Sequence, residues 1–346
     1  MEIMSVWLLI IWPKRQGLQM RRKPTDDMTT DPSKYILNHS MLRVKDIEAS
    51  LKFYRDLLGM SVIHKIDFQE AKFSLYFLAY ETEENKGKHW TSRPGILELT
   101  HNWGTEKDEA FHYHNGNTEP KGFGHVCISV DNIQPACARL EAAGVKFQKK
   151  LSDGRQKDIA FALDPDNYWV ELISQKTKFP EGSLKADETH STNYRFNHTM
   201  IRVKDPKASL QFYQDVFGMK LARTSVHESA KFTLYFLAYL DGEAPTAEGG
   251  VNPISDRESV LELTHNWGTE SDPEFKGYVN GNSEPHRGFG HICFSVDHLE
   301  AACKRLEDKN VKWQKKLTDG RMKTVAFVLD PDNYWVEIIA QDSHHG

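Results

Sequence analysis

The chain of 346 residues contains little cysteine, and none of its four cysteines lies in a C-x-x-C pair. Zinc sites built on thiolates and thioredoxin-type redox sites use that spacing, so the sequence argues against both. So few cysteines in a long chain also indicate a reduced, intracellular protein. We expect buried thiols that act as small apolar groups at Cys127, Cys137, Cys293 and Cys303.

The sequence also lacks an apolar run that could cross a membrane. Its only long run, Val6–Trp12, is far shorter than the roughly 20 residues of a spanning helix. Glu2 precedes this run and basic residues follow it, which is the reverse of a secretory signal. We predict a cytoplasmic protein with a disordered extension over residues 1–30, and the basic residues leave a mitochondrial presequence open.

A strong charge of either sign is missing as well, since 44 Lys and Arg stand against 49 Asp and Glu, for a net charge of −5. Nucleic-acid binders usually carry an excess of positive charge. A composition of 39% hydrophobic and 27% charged residues is typical of a globular protein. We therefore expect neither a nucleic-acid nor a membrane partner, while a local basic cluster for a small anionic ligand is compatible with these totals.

What the chain does contain is a long internal repeat. Two motifs, LELTHNWGTE and LDPDNYWVE, occur twice without a change, at Leu97–Glu106, Leu261–Glu270, Leu163–Glu171 and Leu329–Glu337. The period is far too long for a solenoid and indicates a tandem duplication. We predict two homologous domains, 31–175 and 193–341, joined by a polar linker at 176–192.

Each half shows the same module twice: a strand, a helix that starts after an aspartate, and three more strands. In the first module residues 36–44 alternate, Asp46 is the candidate N-cap, and Glu48–Leu58 has helical periodicity. The same signature recurs at Asp131, Asp205 and Asp297. The strands predicted after the first two helices are 60–68, 73–80, 95–102, 145–149, 158–163 and 167–173. The pattern predicts an α+β fold of four βαβββ modules, with helices on the outer face of curved sheets.

Four strands in each half direct one His or Glu from an apolar-backed sheet. In the first strand, period-two alternation places His39, Met41 and Arg43 on one face and Leu42 and Val44 on the other. A buried carboxylate requires a cation, a hydrogen-bonded partner or water. A single residue of this kind is most simply a solvated strand residue or a satisfied core histidine.

A complete set of two His and two Glu in each half favours a metal site over these simpler interpretations. Imidazole with carboxylate suits zinc and other borderline divalent ions. The candidate metal ligands are His39, Glu98, His125 and Glu171 in the first half and His198, Glu262, His291 and Glu337 in the second. His101 and His265 have the opposite parity and are interpreted as structural, whereas His112 and His114 lie in a predicted loop and His344 and His345 in a predicted disordered tail.

The motifs NHSMLRVKD, KFSLYFLAY, LELTHNWGTE, GFGH and DPDNYWVEL resemble those of eukaryotic glyoxalase I, of the vicinal-oxygen-chelate superfamily. The match covers nearly all of 31–341, and the duplication resembles the monomeric fungal form. The resemblance implies paired βαβββ modules, a monomer with two active sites, and isomerisation of the glutathione hemithioacetal of methylglyoxal to S-D-lactoylglutathione, which detoxifies methylglyoxal.

The resemblance also assigns roles to the eight candidate ligands. It implies that His39 and Glu98 share one metal site with His291 and Glu337, and that the other four residues form the second site. Glu171 and Glu337 are implied as the catalytic bases that move a proton between neighbouring carbons. Zinc is the first choice at each of the two sites, and nickel, cobalt or manganese would fit the same ligands.

Glutathione contacts are implied at matched positions of the two halves: Arg43 and Arg202, Asn102 and Asn266, Arg155 and Arg321, and Lys121 and Arg287. Alternation independently places Arg43 on the face of His39, and Asn102 on that of Glu98. Lysine lacks the bidentate fork of arginine, so Lys121 predicts that the two sites are not equivalent. The plain alternative for the six basic residues is ordinary surface charge.

Two other functions stay open at this point. An extradiol dioxygenase would hold iron with two His and one carboxylate, and the second carboxylate in each set argues against it. A non-catalytic glutathione- or drug-binding module would need no complete ligand set, yet both sets are complete.

Overall fold

The computed structural model describes residues 29–154, 156–176, 178–242, 253–320 and 322–342. The predicted disordered extension lies outside these ranges except for Thr29 and Thr30. Thr30 is tied down, because its hydroxyl donates a hydrogen bond of 2.5 Å to Asp297 Oδ1. No helix among the described residues is long and apolar enough to cross a bilayer.

The described residues form sixteen strands and four α-helices, in the order βαβββ four times, which confirms the predicted fold class. The first module contains β1 Ile36–Val44, α1 Ile47–Leu51, β2 Ser61–Phe68, β3 Phe73–Ala79 and β4 Ile96–Asn102. The second contains β5 Phe123–Val130, α2 Ile133–Ala142, β6 Phe147–Lys149, β7 Ile159–Leu163 and β8 Trp169–Ser174. The third contains β9 Arg195–Arg202, α3 Pro206–Asp215, β10 Lys220–His227, β11 Phe232–Ala238 and β12 Val260–Asn266. The fourth contains β13 Phe289–Val296, α4 Leu299–Asp308, β14 Trp313–Lys315, β15 Val325–Leu329 and β16 Trp335–Ala340.

The helix starts follow the prediction in the first and third modules only. Asp46 accepts hydrogen bonds from the amides of Glu48 and Ala49, and Asp205 caps α3 in the same way. Asp131 and Asp297 were expected to do likewise, but they lie one residue too early to be N-caps. Their carboxylates instead bind the segments that lead into β9 and β1. The helix predicted over Glu48–Leu58 is also divided, because α1 ends at Leu51 and a π-helix follows over Lys52–Leu57.

Each sheet combines modules from both halves of the sequence. One sheet has the order β14-β15-β16-β13-β1-β4-β3-β2, and the other has the order β10-β11-β12-β9-β5-β8-β7-β6. The first module therefore pairs with the fourth through β1 and β13, and the second with the third through β5 and β9. Residues far apart in the chain thus become neighbours at the centre of each sheet.

The two faces of each sheet differ as alternation predicts. Leu42, Val44, Leu97 and Leu99 are fully buried in one apolar core that joins the backs of both sheets to the helices. The opposite face is concave. In the first sheet Met322, which lies between β14 and β15, packs with Phe68 and Phe73 of β2 and β3. The two ends of the sheet therefore approach each other across a cavity.

Removing side-chain volume from this core should destabilise the protein. Val126 is fully buried on the core face of β5, whereas Val226 in β10 is 57% exposed. Val126→Ala should lower the free energy of unfolding by about 2 kcal/mol, because two buried methyl groups and their contacts are lost. Val226→Ala is the control, with an expected change within about 0.5 kcal/mol. Equal midpoints of chemical denaturation for the two variants would contradict this placement of the core.

Candidate metal centres

Two groups of side chains meet on the concave faces. The first quartet is His39, Glu98, His291 and Glu337, and the second quartet is His125, Glu171, His198 and Glu262. One donor atom from each residue lies within 4.8 Å of the other three. These are the two sets whose cross-pairing the resemblance implied, and each draws two residues from each half of the chain.

Strand order explains why the residues meet. The first quartet stands on four adjacent central strands, β16, β13, β1 and β4, and the second on β8, β5, β9 and β12. In the first quartet His39 Nε2 lies 3.1 Å from Glu98 Oε2, 3.0 Å from Glu337 Oε2 and 3.1 Å from His291 Nε2. The second quartet repeats the pattern, with His198 Nε2 at 3.1 Å from Glu171 Oε2, 3.0 Å from Glu262 Oε2 and 3.1 Å from His125 Nε2.

Glycines of the two GFGH motifs leave room for methionine side chains beside the quartets. Gly290 directly precedes His291, and a Cβ atom there would collide with the thioether of Met41 on the neighbouring strand. Gly124 stands in the same relation to His125, with Met200 as the neighbour. A larger residue at either glycine would have to displace the end of that methionine side chain, which lines the cavity.

The electrostatics of the quartets are those of buried, opposed charges. All eight residues are at most 9% exposed. Burial alone would lower the pKa of His39, but its contacts with Glu337 and Glu98 raise that pKa to about 9. Burial would raise the pKa of Glu262, yet hydrogen bonds with His125 and His198 hold it at about 2. Glu171 and Glu337 are held anionic for the same reason, since histidine contacts keep their pKa values well below the ordinary range.

The donor sets fit a divalent cation. Two carboxylates buried together repel each other, and a cation among them would compensate both charges. Two imidazole nitrogens with two carboxylate oxygens suit zinc and similar ions and leave positions for other ligands at an octahedral ion. The second carboxylate in each quartet distinguishes both from the two-His, one-carboxylate triad of non-haem iron enzymes.

One pair of supporting residues was missed by the sequence analysis. Asn38 Oδ1 lies 2.7 Å from His39 Nδ1, and the amide nitrogen of Asn38 donates to the carbonyls of Trp90 and Arg93. Asn197 holds His198 in the same way, through Ile254 and Arg257. Because both amide hydrogens face carbonyls, Oδ1 must accept the proton of Nδ1, and Nε2 is left to face the quartet.

The asparagines escaped prediction because alternation places neighbours on opposite faces. The pairing of β1 with β13 shifts register between Leu37 and His39, so Asn38 is an extra residue in the strand. The pairing of β9 with β5 shifts in the same way around Asn197. Such bulges re-aim side chains next to active sites. The signal in the sequence was the repeated Asn-His pair.

Threonine hydroxyls support one carboxylate of each quartet. Thr100 Oγ1 donates to Glu98 Oε1 at 3.0 Å, and Thr264 Oγ1 donates to Glu262 Oε1 at 3.1 Å. Glu171 and Glu337 lie instead opposite Cys127 and Cys293 in the strand register. All four cysteines are free and buried, as predicted.

The arginines proposed to contact glutathione border the two cavities. Arg43 Nη1 donates to the carbonyls of Gly281, Gly288 and Phe289, and Nη2 donates to Asn282 Oδ1 at 2.9 Å. Arg202 makes the equivalent bonds with carbonyls of the second module. Both guanidinium groups therefore tie the loop of the partner module to the cavity wall.

The other predicted contact residues are less uniform in their placement. Asn102 and Asn266 donate to the hydroxyls of Tyr113 and Tyr278, and Asn266 also lines the second cavity. Lys121 pairs with Glu119 at 3.2 Å, and Arg287 with Glu284 at 3.4 Å. Arg155 and Arg321 lie outside the described residues.

The other histidines weighed in the sequence analysis belong to neither quartet where the structure describes them. His101 and His265 bind Glu106 and Glu270 at 3.0 and 2.7 Å, which confirms their structural role. His112 and His114 lie in a loop, as predicted, where each contacts local backbone. His344 and His345 are outside the described residues.

The quartets lie at the base of two cavities. The first cavity has a volume of about 570 Å³ and the second about 510 Å³. Each is wide enough for a small organic ligand that reaches the quartet.

Comparisons with known proteins agree with this geometry. Sequence patterns of the Glyoxalase/Bleomycin resistance protein/Dioxygenase superfamily match residues 36–172 and 195–338. The chain is 54% identical over 316 residues to the lactoylglutathione lyase of Schizosaccharomyces pombe, which covers 90% of this chain and 99% of that protein. It is 52% identical over 323 residues to glyoxalase I of Saccharomyces cerevisiae, with 90% and 94% covered. The crystal structure of glyoxalase I from Zea mays superposes with a TM-score of 0.63 at 25% identity, over 88% of this chain and 92% of that one.

The asparagines should be required for tight cation binding. We expect Asn38→Ala to raise the zinc dissociation constant of the first quartet by about 10–100-fold and to leave the second quartet unchanged, because His39 loses the acceptor that fixes its tautomer. Competition with a chromophoric chelator would measure both sites. Asn132→Ala, which changes an asparagine that donates to a backbone carbonyl at the surface, is the control. Loss of affinity in the control, or none in Asn38→Ala, would contradict this role.

Cation binding to the first quartet should depend on pH. His39 is protonated below its pKa of about 9, and a cation must displace that proton. Zinc affinity should therefore increase by about tenfold per pH unit from neutral pH towards about 9, for one displaced proton. His39→Gln offers an oxygen without a proton to displace, so its pH dependence should be weaker. A pH-independent affinity in the unsubstituted chain would refute the prediction.

Proposed function

The chain belongs to the Glyoxalase/Bleomycin resistance protein/Dioxygenase superfamily, and we propose that it works at two active sites, one at each quartet. It is a lactoylglutathione lyase, which isomerises the glutathione hemithioacetal of methylglyoxal to S-D-lactoylglutathione. The observation that carries the two-site proposal is the convergence of two imidazoles and two carboxylates in each of two cavities. Methylglyoxal detoxification follows from this reaction.

The reaction moves a proton between adjacent carbons of the hemithioacetal. A divalent cation bound by a quartet would supply positive charge that stabilises the negative charge developing on the two substrate oxygens. The ligand chemistry favours zinc, with nickel, cobalt or manganese as alternatives. The residues that would hold the cation are the eight members of the quartets.

We assign the proton transfer to Glu171 in the second quartet and Glu337 in the first. A general base removes the proton from the carbon that carries sulfur and returns it to the neighbouring carbon. Glu98 and Glu262 are less suitable, because a threonine hydroxyl already stabilises the charge on one oxygen of each. Glu171 and Glu337 instead lie opposite the buried thiols of Cys127 and Cys293, which are weaker hydrogen-bond donors than a hydroxyl.

Arg43 and Arg202 are proposed to orient the glutathione part of the substrate at the two cavity borders. Their positive charges suit a glutathione carboxylate. We also propose that the chain acts as a monomer in the cytoplasm. The support is that each quartet is completed within one chain, and that all four cysteines are free thiols.

Replacement of the two bases should separate the two active sites. Glu171→Gln should silence the second site and Glu337→Gln the first, because glutamine keeps a donor oxygen but cannot take a proton. Each single variant should retain the turnover of its intact site, and the double variant should lose about 10²–10⁴-fold in thiolester formation. Glu141→Gln, a surface carboxylate that pairs with Lys150, is the control. A double variant as active as this control would exclude the assignment.

Metal content should match the two-site proposal. We expect the active protein to contain two divalent ions per chain and to lose thiolester formation when a chelator removes them. Reloading with zinc, nickel, cobalt or manganese separately, with metal analysis of each sample, would identify which ion supports turnover. Full activity in a sample shown to be free of metal would rule out the role given to the quartets.

A further inference from the structure

The two cavities have the same side-chain types at their bases, two His and two Glu, but they differ in the side chains that face each quartet. We define the first roof as Ile66, Phe68 and Met322, and the second roof as Ser225, His227 and Gln156. The two roofs are matched positions of the duplication. Ile66 and Phe68 precede Ser225 and His227 by 159 residues, as His39 precedes His198, and Gln156 precedes Met322 by 166, as His125 precedes His291.

The first roof is apolar. Phe68 stacks on Phe73 with ring centroids 4.6 Å apart, and Ile66 and Met322 pack against this pair. Phe68 is buried at the end of β2, while Met322 comes from the opposite end of the sheet. The roof thus lines the first cavity with aromatic, aliphatic and thioether groups that offer little hydrogen bonding.

The second roof is polar at all three positions. His227 stacks on Phe232 at 4.4 Å, so an imidazole replaces the phenyl ring in nearly the same arrangement. Ser225 Oγ lies 3.1 Å from His227 Nε2, and Gln156 adds an amide. A further difference is the ion pair between Lys176 and Asp158 at 3.6 Å, both of which line the second cavity.

Because the two cavities have similar volumes but different side chains, we expect them to prefer different chemical types of substrate and not substrates of different size. Burying an aromatic side chain against the first roof releases apolar surface from water. A hydroxyl group in the same place would lose its hydrogen bonds to water without replacement. The second roof favours a hydroxyl group over an aromatic side chain, because its own hydroxyl, imidazole and amide can form hydrogen bonds with a polar group.

We infer that the two active sites of this chain select different 2-oxoaldehydes through their roofs. The first site prefers glutathione adducts whose aldehyde-derived side chain is aromatic or aliphatic, and the second prefers adducts whose side chain carries a hydroxyl. The inference rests on the proposed function, because it takes each quartet to be an active site. Within one chain, the duplication then extends the range of aldehydes that the same reaction removes.

Chains with one working site would test the inference. Glu171→Gln leaves the first site and Glu337→Gln leaves the second. The substrates are the glutathione hemithioacetals of phenylglyoxal and of hydroxypyruvaldehyde, which differ from methylglyoxal by a phenyl ring and by a hydroxyl group. The ratio of kcat/KM for the phenyl adduct to that for the hydroxyl adduct should be higher in Glu171→Gln than in Glu337→Gln by about tenfold.

Exchange of the roofs should transfer the preference. In the Glu171→Gln chain, Ile66→Ser, Phe68→His and Met322→Gln together should lower the ratio towards that of the second site. In the Glu337→Gln chain, the reverse substitutions Ser225→Ile, His227→Phe and Gln156→Met should raise it. The two exchanges should change the ratio in opposite directions, so loss of folding in the first exchange could not by itself explain both results. Lys65→Thr is the control and should not change the ratio. It replaces an exposed residue of β2 with the type found at the matched position, Thr224.

The outcomes separate this inference from the proposed function. Equal ratios in two active single-site chains would overturn the inference and leave the two-site proposal standing. An exchange that changes kcat/KM for both adducts by the same factor would also overturn it, because the roof would then contact the glutathione part, which the two adducts share. If neither single-site chain turned over any adduct, including that of methylglyoxal, the assignment of the bases would fail and the inference would fall with it.

Discussion

The structure depends on the attraction between two buried carboxylates and two buried imidazoles at the centre of each sheet. Neither carboxylate of a quartet could stay charged at this depth without the opposite charge beside it, and in the first quartet Asn38 orients His39 and Thr100 orients Glu98. The apolar backs of the strands fix the position of these side chains relative to the core, and the glycines before His125 and His291 leave room for Met200 and Met41 beside them. A cation held by a quartet would place positive charge where a substrate develops negative charge.

Duplication matters here because of the way in which the modules pair. If each half folded onto itself, a site would draw all its ligands from one half. The observed pairing of β1 with β13 and of β5 with β9 makes each cavity a joint product of both halves. One chain therefore builds two sites with the same types of ligand in separate quartets, while residues such as Phe68 and His227 can differ without affecting either quartet.

Much of the fold could be predicted from local patterns. Strand β1 has the predicted bounds, and the concave face carries His39, Met41 and Arg43 as alternation required. The errors have local physical causes. Strand β8 begins at Trp169 and not at 167, because the carboxylate of Asp164 binds the amides of Asp166 and Tyr168 and holds a turn there. Asp131 looked like an N-cap but binds residues near 190, a contact that no local pattern could reveal.

The sequence by itself determined the four modules, the side of each strand on which the ligands stand and, by resemblance, the reaction. These follow from short-range periodicity and from long motifs, both of which are written in consecutive residues. Only the tertiary structure decided that the eight donor atoms converge in two groups, that bulges turn Asn38 and Asn197 towards the histidines, and that the roofs differ. Those properties depend on strand pairing and on contacts between residues hundreds of positions apart, as between Phe68 and Met322, which periodicity along the chain does not encode.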